Sequence, residues 1–143
     1  MAQSAVAYLA KGNLVIAPVV RTPTGLGLEI DPTNLGTVRD QGSIAAALAY
    51  ALADSDRVVP HPAQNEWKGF FQPFLAAVGV RSHKAFMEDA QRVSIRIAED
   101  QLKLTSQRNL GSKDGFEAIS DAAIFVPLHD FNAAAAALLS LLK

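Results

Sequence analysis

Three histidines, two pairs of neighbouring carboxylates and one glycine-rich turn are the parts of this chain that could do chemistry. His61, His83 and His129 are scattered, and only His83 with Glu88 loosely approaches a metal-ligand spacing. Ser82 precedes His83, but adjacency in sequence sets no nucleophile geometry, and a helix cap accounts for Ser82 better. No serine sits in a Gly-x-Ser-x-Gly elbow, and the absence of cysteine removes thiolate chemistry. TPTGLGLE (22–29) is the nearest approach to a phosphate loop. It lacks the Lys-Ser/Thr ending and the third glycine, and β-prone residues follow it, so it reads as a hairpin turn. Glu88-Asp89 and Glu99-Asp100 fall on a helix and a turn, where a carboxyl lacks the burial that general acid work needs. These patterns predict no catalytic constellation, no metal set and no cofactor.

The elements that would position these residues are clearer. RVSIRIAEDQLKLTS (92–106) alternates Val93, Ile95 and Ile97 with polar residues, the period of a half-buried strand. A two-residue turn at Glu99-Asp100 pairs Ile97 with Leu102 and Ile95 with Leu104. The same register sets Arg96 against Lys103 on the outer face. That face either meets carboxylates, from this chain or another, or splays its cations into water. NLVIAPVV (13–20) and LGLEI (26–30) form a second hairpin around RTPTG, and SAVAYLA (4–10) is a further strand. Pro18 favours an edge or a bulge in that sheet.

Asp40 caps an alanine-rich helix with Ile44, Leu48 and Leu52 on one stripe; Asp130 caps a second with Phe131, Ala134, Leu138 and Leu142. SDAAIFVP (120–127) leads into the second helix as a strand. The two ends of the chain thus form a loose pseudo-repeat of hairpin, strand and helix, with a spacing that drifts by roughly ten residues. Between them, short helices are expected near 65–71, from Pro73 to Val78 with a stop at Gly79, and after Ser82. In VVPHPAQNEWKGFFQPF (58–74), Trp67, Phe70, Phe71 and Phe74 read as one core cluster, and His61 as part of an extended crossing segment. The expected class is α+β: a mostly antiparallel sheet with helices packed on one face, in a single domain over residues 1–143.

Half of the residues are hydrophobic and 19% are charged, which fits a packed globular chain and excludes disorder. AAAAALLSLL near the C-terminus is too short to span a bilayer, and the N-terminus reads without a signal peptide. With no cysteine, the composition fits a cytoplasmic protein. The net charge of −1 gives no general affinity for nucleic acid. The charge is uneven, however: residues 114–143 hold Asp114, Glu117, Asp121 and Asp130 against Lys143 alone.

The run VPHP…EWKGFFQPFLAAVGVRSHKAFMEDAQRVSI (59–95) resembles immunity proteins of bacterial contact-dependent growth inhibition systems. Those proteins carry a Val-Pro-His-Pro segment, a Trp-Lys helix, an Ala-Gly-Val-(Arg/Lys)-Ser turn and a strand rich in Val and Ile. LVIAPVVRTPTGLGLEI (14–30) and GFEAISDAAIFVPLHDFNAAAAALL (115–139) are similar to the same family, so the resemblance covers most of the chain. It implies a cytoplasmic antitoxin that binds, one to one, the C-terminal toxin domain of a CdiA-type effector, with no nucleic acid or membrane partner. Many such toxins are nucleases with basic clefts, and an inhibitor can present carboxylates to them. The candidates are Asp114, Glu117 and Asp121 in the loop NLGSKDGFEAISD, then Asp54 and Asp56 after the first alanine-rich helix. The alternative is a non-enzymatic homo-oligomeric module that pairs through a sheet edge or its alanine-rich helices.

Overall fold

The computed structural model describes residues 3–37, 39–119 and 123–142. β1 (Ser4–Ala10) and β2 (Asn13–Arg21) form a hairpin, closed by Lys11 and Gly12 with φ of 51° and 78°. Lys11 is held in this left-handed conformation by its amide, which donates to the Asp89 carboxylate at 3.1 Å. β3 (Gly27–Glu29) and β4 (Thr33–Gly36) both pair with β2, and α1 (Gln41–Asp54) follows. A 3-10 helix (Gln64–Gly69), α2 (Gln72–Val78) and α3 (His83–Met87) lead to β5 (Gln91–Ala98) and β6 (Gln101–Asn109). β7 (Phe116–Ala118), β8 (Ile124–Pro127) and α4 (Phe131–Leu141) complete the chain.

The strands run β3-β2-β1-β5-β6-β7, all antiparallel, with β4 also on β2 and β8 also on β6. β1 and β5 meet at the centre, and each half repeats the other. A hairpin is followed by two short strands, both laid on its second strand, and then by a helix. Matching elements begin at Ser4 and Gln91, Asn13 and Gln101, Gly27 and Phe116, Thr33 and Ile124, and Gln41 and Phe131. The offset is nearly constant, so the pseudo-repeat is tighter in three dimensions than its sequence features indicate.

Local chemistry sets the boundaries as expected. Asp40, Ser82 and Asp130 accept from the amides of Ser43, Ala85 and Ala133 at 3.0–3.1 Å, capping α1, α3 and α4. Pro73 lies in the first turn of α2, and Gly79 ends it with φ 75°. The second hairpin has the expected register, including Arg96 opposite Lys103. Pro18 is on an interior strand rather than an edge. It sits between the stretch of β2 that pairs with β4 and the stretch that pairs with β3, and its carbonyl accepts from Ile30 on that side. Its missing N–H therefore breaks no ladder bond.

The α+β class and the antiparallel sheet are as expected, but the helices divide between both faces. Ala5, Ala7, Leu14, Ile16, Val93, Ile95, Leu102 and Leu104 pack under α1 and α4. On the opposite face, Val6, Tyr8, Ala10, Val15 and Ala17 pack under Phe74, Leu75, Val78, Phe86 and Met87 of α2 and α3. The reason is legible in SAVAYLA and LVIA, which are apolar at nearly every position and so need cover on both sides. The segment NLGSKDGFEAISD also departs from a plain loop, because Phe116–Ala118 pairs with β6 as the counterpart of β3.

Candidate functional site

The outer face of the sheet, opposite α1 and α4, is covered over β1 and β2 and open over β5 and β6. Three cross-strand rows define the open part. Ser4, Arg96 and Lys103 form one row, Val6, Ser94 and Thr105 the next, and Tyr8, Arg92 and Gln107 the third. Ser94 and Thr105 are short, and the side chains in the rows on either side are long. The result is a cavity of about 320 Å³ with Ser94 and Thr105 among its lining and Arg21, Arg92, Arg96 and Lys103 around it. Among the described residues, no acidic side chain lines it.

The third row is a closed network. Tyr8 Oη donates to Glu29 Oε1 at 2.5 Å, and Arg92 Nε donates to Tyr8 Oη at 3.0 Å. Arg92 Nη2 reaches Glu29 Oε2 at 2.7 Å, and Nη1 donates to the Gln107 side chain. The Tyr8 ring meets Phe71, Phe74 and Phe86 edge-on and Phe116 at a tilt. Burial, and then the Glu29 carboxylate, push the Tyr8 phenol far above its ordinary range, against the pull of Arg92. Burial opposes the Arg92 charge, but Tyr8 and Glu29 outweigh it and hold the guanidinium protonated. This network ties β3 to the sheet centre and marks the edge of the covered half.

The remaining cations are different. Among the described residues, no carboxylate forms an ion pair with Arg21, Arg96 or Lys103. Arg21 folds back over β3, where a Cβ on Gly27 would lie 2.7 Å from its Nη1. Lys103 Nζ stands 5.7 Å from the centre of the Phe125 ring. Thr105 is 5% exposed, and its Oγ1 is buried without a hydrogen-bond partner among the described residues. Sequence reading found the Arg96–Lys103 pair but not the cavity, which needs Arg21 and Ser4 from the other half of the chain.

The predicted acidic contacts do not form one patch. Asp114 is exposed in the turn before β7, and Glu117 is exposed on β7, opposite Arg108. Asp121 lies outside the described residues. Asp54 pairs with Arg57 at 3.2 Å, and Asp56 is exposed two residues further on. Asp54 and Asp56 flank Ser55, whose Oγ accepts from the Ser4 amide at the start of β1, whereas β7 pairs with the end of β6 that lies level with the end of β1. The two groups are therefore separated by the length of the central strands.

Trp67 is not core. It is 40% exposed, against 1% for Phe74, and contacts His61 and Phe70 at 5.7 and 5.6 Å between ring centres. The 3-10 helix leaves Trp67 exposed and Phe70 half-buried just beyond its end, while Phe71 and Phe74 stack at 4.8 Å above Tyr8. Leu26 and Val58 are also exposed. A second cavity of about 320 Å³ lies between Leu28, Ile30, Pro60, Pro62 and Phe70. His61 Nδ1 bonds the Pro62 carbonyl at 3.0 Å, His83 stands edge-on to Phe71, and His129 is exposed before α4. Among the described residues, no three His, Cys, Asp or Glu side chains gather as a metal site, and no helix is long and apolar enough to cross a membrane.

Comparison with solved structures gives the fold a context. One chain of a CdiA-CT/CdiI toxin and immunity complex from Yersinia pseudotuberculosis shares the fold. It has a TM-score of 0.74 and 10% sequence identity, covering 100% of this protein and 98% of that chain. A protein of unknown function from Neisseria meningitidis superposes with a TM-score of 0.76 and 15% identity, covering 98% and 94%. At these identities the likeness is one of fold. No family model matches the sequence. No curated protein matches it either.

Proposed function

We propose that this protein is an immunity protein, which binds and neutralises the C-terminal toxin domain of a contact-dependent growth inhibition effector. The observation that carries the reading is the end-to-end likeness of fold to a chain of a CdiA-CT/CdiI toxin and immunity complex. The sequence resemblance over residues 59–95 points independently to the immunity partner of such a pair. The role asks for binding and not for turnover. It suits a chain whose partly buried polar network of Tyr8, Glu29 and Arg92 is internally satisfied and holds strands in place.

The toxin in this reading is a nuclease held in a one-to-one complex in the cytoplasm. Asp114 and Glu117, at one end of the molecule, remain the first proposed acidic contacts, and Asp54 and Asp56, at the other, the second. Asp121 is proposed with the first set on sequence alone. Because the ends are far apart, one compact toxin surface engages one set, and charge reversal identifies which. Trp67 is a further proposed contact, since an exposed tryptophan beside an edge strand has the chemistry of an interface anchor.

Co-expression tests the reading directly. Cells carrying the toxin domain of the effector encoded beside this protein should grow when this protein is present and stop when it is absent. Growth arrest in both cases, with this protein folded and abundant, would refute the immunity role. Self-association, the competing function, would show instead as a concentration-dependent mass in the absence of toxin.

A further inference from the structure

We infer that the open cavity on β5 and β6 is a binding site for a phosphate group carried by a small molecule. This assignment stands apart from the toxin-binding reading and does not depend on it.

The first ground is charge. Arg21, Arg96 and Lys103 approach one cavity of about 320 Å³ from three strands, and none has an ion-pair partner among the described residues. Arg96 and Lys103 are directly opposed across the ladder, an arrangement that costs stability unless an anion sits between them. Arg92, the fourth cation, is already answered by Glu29 and Gln107, so it forms a fixed wall.

The second ground is an unmet hydroxyl. Thr105 lines the cavity and its buried Oγ1 has no partner among the described residues, while its cross-strand neighbour Ser94 lines the same cavity. Buried hydroxyls are almost always hydrogen-bonded, and a rotation of the Thr105 side chain toward the cavity would let Oγ1 bond an oxygen seated there. A phosphate matches this donor set. Its tetrahedral oxygens can accept from guanidinium and ammonium on one side and from the two hydroxyls on the other. A carboxylate has two oxygens in one plane and would leave one side unmet.

The third ground is size. The cavity spans three cross-strand rows and is bounded by the Tyr8–Arg92 network on one side, so it holds a compact ligand. A polynucleotide needs a longer track of cations with stacking aromatics, and among the described residues no aromatic side chain lines this cavity.

The test is titration of the full chain, followed by amide NMR, with inorganic phosphate and with adenosine monophosphate, each against chloride at matched ionic strength. Saturable shifts centred on Ser94, Thr105, Arg96 and Lys103 are expected. Lys103→Gln and Arg96→Gln should each weaken binding about tenfold, and the near-isosteric Thr105→Val about threefold. Shifts no larger than those from chloride would overturn the assignment, as would equal binding by all three variants. If wild type ignores both phosphates while Lys103→Gln weakens toxin binding tenfold, the cavity belongs to the protein interface and the small-molecule assignment falls.

Discussion

The two halves of the sheet are built alike and end differently on their outer face. β1–β2 and β5–β6 share hairpin geometry, flanking short strands and a capped helix, and both press Ala, Val, Ile and Leu onto α1 and α4. On the other face, β1 and β2 present Val6, Tyr8, Val15 and Ala17, which α2 and α3 bury. At the matching positions β5 and β6 present Arg92, Ser94, Arg96, Lys103 and Thr105, which leave a cavity. One repeated scaffold thus carries a second core in one half and an open, cation-lined cavity in the other. The difference lies in alternate residues of two strands. Burial of the first set stabilises the fold, whereas the second set leaves cations available to a ligand.

The contrast between the two halves is largest at Phe74. Phe74→Ala removes a fully buried ring from the covered half and should cost about 3–5 kcal/mol in urea denaturation, while Ser94→Ala on the open half should stay within about 0.5 kcal/mol. Similar costs for both would mean the halves are not divided as described. Glu29→Ala comes next. It strands the Arg92 guanidinium and the Tyr8 hydroxyl in a partly buried setting, and should cost about 2–3 kcal/mol.

Alkaline titration sharpens the same boundary. The folded protein holds the Tyr8 proton more tightly than the unfolded chain does, so its contribution is intact below about pH 10 and is lost as pH rises above it. Stability should fall by up to about 1.4 kcal/mol per pH unit there from this group. Tyr8→Phe should lower overall stability but flatten that slope, as read from denaturation midpoints between about pH 9 and 11. Trp67→Ala should cost less than about 1 kcal/mol, because much of the indole is already in water. Smallest is Arg96→Glu, which places opposite charges across the ladder and should raise the unfolding free energy by a few tenths of a kcal/mol.

Local rules carried much of the fold from the sequence. The Asp40, Ser82 and Asp130 caps, the Gly79 stop and the register of the second hairpin depend on residues close in the chain, and the structure has them all. What failed depended on distant partners. Trp67 and Phe74 are equally apolar in sequence, and only the docking of α2 on Tyr8 decides which ring is buried. The unbroken apolar character of β1 and β2 requires cover on both faces, which the expectation of helices on one face missed. The cavity joins Ser4, Arg21, Arg96 and Lys103 through the central β1–β5 pairing, which no local pattern specifies. The acidic residues, close in sequence within each group, show no signal of the strand length that separates the two groups.

Calorimetric titration of this protein with the toxin domain of its neighbouring effector tests the central claim most directly. The immunity reading predicts a one-to-one complex of nanomolar affinity or tighter, with toxin activity lost at equivalence. Two folded proteins that show no heat of binding at micromolar concentrations, with the toxin still active, would contradict it.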